Sequence, residues 1–470
     1  MAKNKEVEKI LFFMKKDDFL LNNDMAKTLY EEIKELPIID YHNHLSVADI
    51  LENKRFTDVY ELWVKPDPYK HRSMRMCGVA EKYITGDATN EEKFVKWCET
   101  LPKLLLNPLS HWSMMELETV FGIMEVPNAQ NAKSIYESCN RYLQEHEVTA
   151  NGLLGLFNVE YACPCASLID DVKRFEENAM VAPSLRGDDI VQPTADFIKN
   201  LERCGETQIS SLTDFVSLIE KRLLDFRKVG CVFSDHALDD GFVFYPDDGA
   251  NGGRFLDLLD GKLDGAEYAK LSSYILLVLG KLYAKHGFVM QLHIGAQRYT
   301  STKLRGAVGA QGGFAGIGNS VDVRSLTRFL DFIDCAEYGL PKTVLFTLNP
   351  ADNALISVLS GSYAKDGVEG LITQGPAWWW CDHKLGITEM LENTAAFGTL
   401  SNFIGMTTDS RSFLSFVRHD YFRRILCNWL GKKWEQGELL CDIDALKELA
   451  KKLCYENTKR EVKRGVKENV

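Results

Sequence analysis

The stretch PIIDYHNHL (residues 37–45) couples an apolar run, Pro37-Ile38-Ile39, to two histidines one residue apart. A short apolar run that ends in polar residues is the pattern of a strand buried on both faces. Seven more runs of this kind follow: VEYACP (159–164), MVAPSL (180–185), GCVFSD (230–235), FVMQLHI (288–294), TVLFTLN (343–349), GLITQG (370–375) and FIGMTTD (403–409). Helical periodicity occupies many of the intervals, at 213–228, 268–286, 323–337 and 413–430. Strands that alternate with helices imply parallel βα units. Eight units predict an α/β fold, a distorted (β/α)8 barrel, whose usual ~250 residues can exceed ~400 with insertions.

One interval is too long for a simple connection. Between His44 and Val159, helical periodicity recurs at 61–63, 93–106, 111–121 and 134–147. Residues 1–470 are therefore read as a single barrel domain with an inserted helical subdomain at 46–155, since a structureless loop of that length is improbable. The charged tail, 442–470, reads as helix packed outside the barrel. A doubly wound open sheet would want a glycine-rich phosphate loop after its first strand. The one G-x-G, Gly316-Ile317-Gly318, does not stand between a strand and a helix and reads as a loop turn.

Composition narrows the function. The chain has 470 residues, 45% hydrophobic and 26% charged, so it can bury a large core and is not a disordered chain. A net charge of −12 argues against nucleic acid, which needs a basic footprint. It leaves room for an anionic small substrate, because a few arginines reverse the sign of a cleft. The longest apolar stretch, YILLVLG (274–280), is too short to span a bilayer. Residues 1–15 show no long apolar region or small-residue cleavage site, and the twelve cysteines have no framework spacing, so a cytoplasmic protein with reduced thiols is expected. Cys163-Pro164-Cys165 lacks the second cysteine pair of a structural metal site and is not read as one.

In a (β/α)8 barrel the active site lies at the carboxyl ends of the strands. The runs end in His42 and His44, near Arg186, in Asp235 and His236, in His293 with Arg298 beyond it, in Asn349, before Trp378-Trp379-Trp380, and in Asp409 followed by Arg411. Residues i and i+2 of a strand share a face, so His42 and His44 can both enter the barrel mouth while Tyr41 and Asn43 point away. Neutral imidazole is a common ligand for zinc and related ions, and a catalytic site needs about three protein ligands. Two hydrogen-bonded histidines in a polar mouth would look the same, but Asp409 and His293 end two other runs and can complete a ligand set. Asp409 beside Arg411 suits a proton acceptor next to an oxyanion donor, and equally a structural ion pair. Arg186 and Arg298 are candidates to grip a carboxylate. The tryptophans can stack on a sugar or simply fill core. RHDYFRR (418–424) most simply forms a solvated, partly buried helix face.

These residues belong to longer motifs that resemble the uronate (glucuronate) isomerases of the amidohydrolase superfamily. The likeness runs through DYHNHL (40–45), RFTDVYELW (55–63), PYKHRSMR (68–75), NPLSHW (107–112), VAPSLR (181–186), GCVFSDHAL (230–238), LHIGAQR (292–298), TLNPADN (347–353), AWWWCD (377–382) and GMTTDSRSFLSFVRHDYFRRILCN (405–428). It implies a distorted barrel with a small helical subdomain. It also implies one divalent ion on His42, His44 and Asp409, with His293 near metal and substrate. Zinc is the first expectation, with manganese, iron or cobalt as alternatives. The implied activity converts D-glucuronate to D-fructuronate and D-galacturonate to D-tagaturonate, on open-chain sugars. Self-association is the family habit.

Three positions depart from the family pattern. A histidine–tyrosine pair in a stretch HYKWR is here Pro68-Tyr69-Lys70-His71-Arg72, with His71 three residues on. A threonine and paired aspartates after strand two are here Ala162-Cys163-Pro164-Cys165-Ala166, and a basic residue after strand six is Ala351. In the expected mechanism Asp409 is the first choice of base and Tyr69 the second. His293 and Arg411 stabilise the enediolate, Arg298 or Arg186 holds the sugar carboxylate, and Asp235, Trp378, Trp379 and His71 line the substrate. The rival is a metal-dependent hydrolase, which usually needs a bridging lysine on strand four and a histidine on strand six. Here those positions read Ser234-Asp235-His236 and Asn349.

Overall fold

The computed structural model describes residues 18–467, apart from 177 and 179. The reading of residues 1–15 falls outside the described residues. Seven parallel strands form one curled sheet: β1 (Ile38–Asn43), β2 (Val159–Ser167), β3 (Ser184–Arg186), β4 (Phe233–Leu238), β5 (Val289–Ile294), β8 (Thr343–Thr347) and β9 (Ile372–Gln374), in that spatial order. β6 (Ala296–Gln297) and β7 (Gly316–Ile317) make a separate antiparallel ladder. Helices separate the strands, and the fold is a distorted α/β barrel.

Strand parity divides the core. Met290, Leu292 and Leu345 face the outer helices, whereas Val289, Val344, Phe346, Phe233 and Tyr41 fill the barrel interior. The outer layer includes Leu212–Lys228, Gly265–His286 and Val323–Asp334, each of which overlaps a segment expected to be helical. Between β1 and β2 the chain is helical, with its longest pieces at Asn90–Thr100, Pro108–Phe121 and Ala132–Glu145.

Four local expectations need correction. Tyr41 does not point away from the interior but packs 5.4 Å from Phe233. The β1–β2 register shifts between Asp40 and Asn43, and such an irregularity breaks simple alternation. In 180–185 only the end becomes strand, because Pro183 lacks a ladder donor. Gly316-Ile317 pairs with Ala296-Gln297 instead of forming a plain turn. The fourth concerns 403–409, which is extended but outside the ladder.

Side chains and the tail hold that run in place. Asp40 accepts from Thr408 N and Thr408 Oγ1, both at 2.7 Å, and from Thr407 Oγ1 at 2.9 Å. Asp409 N donates to His42 O at 3.2 Å and His44 N to Ser410 O at 2.8 Å. On the other side Asn457 Nδ2 donates to Phe403 O at 2.9 Å, and a Cβ on Gly405 (φ +91°) would meet Leu453 O at 2.9 Å. The tail helices therefore grip the eighth run.

Helix Val417–Glu435 is also unlike the solvated face expected of RHDYFRR: Arg418, His419, Arg423 and Arg424 are all buried. Each has a buried use. Arg423 donates to the carbonyls of Lys34, Leu36 and Pro37, Arg424 to Asp420, and Arg418 to Asp382 and Thr408 O.

Candidate active site

At the carboxyl ends of the strands lies a cleft of about 970 Å³, partly open to solvent. His42, His44, Tyr69, Arg186, Asp235, His293, Arg298, Trp378, Trp379, Asp409 and Arg411 line it; His236, Asn349 and Trp380 do not, and His71 lines a neighbouring hollow with His44 and Arg411. Burial pushes the His71 imidazole down to about 4, so it is neutral near pH 7.

His42 Nε2 and His44 Nε2 converge on one oxygen, Asp409 Oδ1, at 3.2 and 3.1 Å. Asp409 adopts φ +47°, a left-handed conformation uncommon for a non-glycine residue and typical of a site where geometry outweighs strain. Burial alone would raise its carboxyl. The hydrogen bonds of His42 and His44 outweigh that and hold it well below the carboxylate range. Burial opposes protonation of His44, but Cys165 and Asp409 prevail and lift it to about 9. Asp409 Oδ2 is buried with no hydrogen-bond partner among the described residues. Two imidazoles around a carboxylate with a spare oxygen fit a divalent cation, which would replace protons on the histidines.

A second cluster adjoins the first. The rings of His42 and His293 lie 4.6 Å apart, and His293 stacks on Phe346 at 4.3 Å and meets Trp378 edge-on at 4.7 Å. His293 Nδ1 is 2.5 Å from Asp235 Oδ1, and Asp235 Oδ2 is 3.7 Å from Arg186. Burial keeps His293 below the ordinary histidine value despite Asp235. Asp235 thus orients a neutral ring as well as facing the cleft. His236 does not take part. β4 continues to Leu238, so His236 faces the opposite side and bonds Tyr283 at 2.8 Å.

The cations differ in what they already hold. Arg298 Nε contacts both oxygens of Asp239 at 2.8 Å, and Arg186 pairs with Asp188 at 2.8 Å. Arg411 donates to Gln311 at 2.5 Å. Arg72 lies over the rings of Trp380 at 3.5 Å and Tyr69 at 4.9 Å, with no ion pair among the described residues. Sequence reading passed over Arg72, although it stands in PYKHRSMR. Tyr69 OH is buried with no hydrogen-bond partner among the described residues, and burial, then Asp409 and Asp382, raises it well above the tyrosine range. Asp382 is itself pushed up to about 7 by burial, against the pull of Arg418 and Arg72. Over this end runs the loop of Ala310, Gln311 and Gly313. A Cβ on Gly313 (φ +80°) would meet Pro68 O at 2.3 Å, so only glycine lets the loop sit there.

Against known proteins, the model of the Glucuronate isomerase family matches residues 11–461. The chain belongs to that family. It is 40% identical over 459 residues to the uronate isomerase of Caldicellulosiruptor bescii, covering 94% of this chain and 98% of that one. It is 39% identical to that of Bacillus licheniformis, over 97% and 98%. The crystal structure of uronate isomerase from Thermotoga maritima superposes with a TM-score of 0.88 at 31% identity, over 95% of this chain and 99% of that one. A putative metal-dependent hydrolase from Lactobacillus casei, at 11% identity and TM-score 0.53, shares the fold alone. Within the glucuronate isomerase family the hydrolase alternative is not favoured.

Proposed function

We propose that this protein interconverts open-chain hexuronates between aldose and ketose forms, D-glucuronate with D-fructuronate and D-galacturonate with D-tagaturonate. The observation that carries this reading is the family match from residue 11 to 461, over a barrel whose strand-end residues share one cleft. The reaction moves a proton between C2 and C1 while the two oxygens exchange another. His42, His44 and Asp409 would hold one divalent ion, zinc first among zinc, manganese, iron and cobalt. When bound, that ion supplies a Lewis acid for the carbonyl oxygen.

The chain's own residues do the rest. Asp409 is the base that carries the proton along one face of the sugar. Tyr69, held protonated, donates a hydrogen bond and is the second choice of base. His293, set by Asp235, and Arg411 steady the enediolate oxygens. Arg298 and Arg186 attract the sugar carboxylate, and Arg72, with no carboxylate of its own, joins them. Trp378 and Trp379 wall the cleft. Residues 46–155 act as a helical subdomain that brings Tyr69 and Arg72 to the mouth. No helix of the described residues is long and apolar enough to cross a membrane. A cytoplasmic, self-associating enzyme fits this reading, and sedimentation decides the second point.

The test is purified enzyme of measured metal content, incubated with a panel of hexuronates in deuterated water. NMR should show the ketose with deuterium at C1. A hydrolysis product, or no turnover of any uronate, would overturn the reading.

A further inference from the structure

Asp409 is not the only acidic group placed between the two histidines. Cys165 Sγ lies 3.7 Å from His42 Nδ1. The donor atoms of His42, His44 and Cys165 all lie within 4.8 Å of one another. Strand register explains this. Asn43 pairs with Pro164 across the parallel β1–β2 ladder, so the next residues, His44 and Cys165, come side by side at the mouth. The imidazoles therefore sit between a carboxylate oxygen and a sulfur.

We propose that Cys165 is a ligand of the ion held by His42, His44 and Asp409. This rests on the metal reading above and extends it to the donor set N, N, O and S. The spacing supports it. Ligands at about 2.0–2.3 Å around a tetrahedral ion stand about 3.3–3.7 Å from one another. One donor atom each of His42, His44 and Cys165 lies within 4.8 Å of the others, with Sγ 3.7 Å from His42 Nδ1, while Asp409 Oδ1 stands 3.2 and 3.1 Å from the Nε2 atoms of His42 and His44. Asp409 Oδ2, buried and with no hydrogen-bond partner among the described residues, is a second carboxylate oxygen free to bind a cation here. Binding sends the thiol proton to solvent, and a sulfur donor favours zinc, cobalt or cadmium over manganese. The alternative geometry is specific. His42 faces Asp409 with Nε2 and Cys165 with Nδ1, so a thiol that only steadied the far side of the ring would never touch the ion.

Cobalt(II) added to the metal-free full-length protein distinguishes the two through the near-ultraviolet sulfur-to-cobalt charge-transfer band, read alongside bound cobalt by elemental analysis. The expected result is one cobalt per chain with that band. Cys165→Ser and Cys165→Thr lose the band while still binding cobalt, and Cys163→Ser keeps it. Cadmium affinity falls in the Cys165 variants relative to manganese affinity. Stoichiometric cobalt without the band, or a band that survives in both Cys165 variants, overturns the ligand role and leaves the isomerase site standing. Failure of wild-type protein to bind cobalt, zinc or manganese overturns the metal reading as well.

Discussion

The two sides of the barrel are held together by different means. β4 and β5 pair at six positions and β5 and β8 at five, in unbroken parallel register. Across the barrel, the eighth run meets β1 through the Asp409–His42 and His44–Ser410 backbone bonds, and through Asp40. His419 Nε2 adds a further contact to Asp40 at 3.3 Å. The difference has a physical reason. A regular ladder alternates side chains between faces and cannot aim consecutive polar groups at one point. Leaving the ladder lets Asp409 take a positive φ and turn its carboxylate onto both histidines. The ordered wall supplies His293 at fixed parity, and the irregular seam supplies the convergence. The seam then depends on one buried carboxylate in place of many backbone bonds.

Substitution at the two ends of this seam should give the largest effects. Asp409→Asn is expected to lower turnover by about 10²- to 10⁴-fold, the usual worth of a positioned base. Near-normal turnover with metal still bound would show that Asp409 is not the essential base. Asp40→Asn is the test of the seam itself. It removes the charge that faces His419 and leaves one acceptor oxygen for four donors, Thr407 Oγ1, Thr408 N, Thr408 Oγ1 and Asn43 Nδ2, which should cost about 3 kcal/mol in denaturant unfolding. Turnover should fall with it, since Asp40 fixes the backbone of Thr407 and Thr408 just before Asp409. Unchanged stability would mean that the tail helices and two backbone bonds suffice.

The regular wall was largely legible in the sequence because its signal is local. Apolar runs gave β1, β2, β5 and β8 nearly at their bounds, and the strand-end rule collected His42, His44, His293 and Asp409. What was missed depends on long-range partners. The shifted register at Asp40–Asn43 turns Tyr41 inward, and β4 runs three residues beyond Asp235, to Leu238, leaving His236 behind the sheet. RHDYFRR looked solvated because its partners, among them Asp40, Asp382 and the carbonyls near Pro37, are far away in the chain. Arg72 carried a motif signal but no strand-end position. Cys165 was passed over because a cysteine pair was sought, whereas its partners are histidines on the next strand.

Acid should separate the two sides more gently than mutation. Burial raises the Asp40 carboxyl, but the hydrogen bonds of His419 and Thr408 prevail and hold it below its ordinary 3.8. A lowered carboxyl contributes stability that is fully present above about pH 4 and is lost as pH falls through the folded value. Between neutral pH and pH 3, wild type should therefore lose stability more steeply than Asp40→Asn, in which this group no longer titrates. Parallel losses would remove Asp40 from the acid response. The smallest effect is expected on the wall. Ile372 in β9 is buried in the outer layer, away from the cleft, and Ile372→Val deletes one methylene there. It should cost about 1 kcal/mol and leave turnover and bound metal unchanged. Loss of metal from this variant would mean that wall and seam are one mechanical unit, and that the site is set by the whole barrel and not by Asp40.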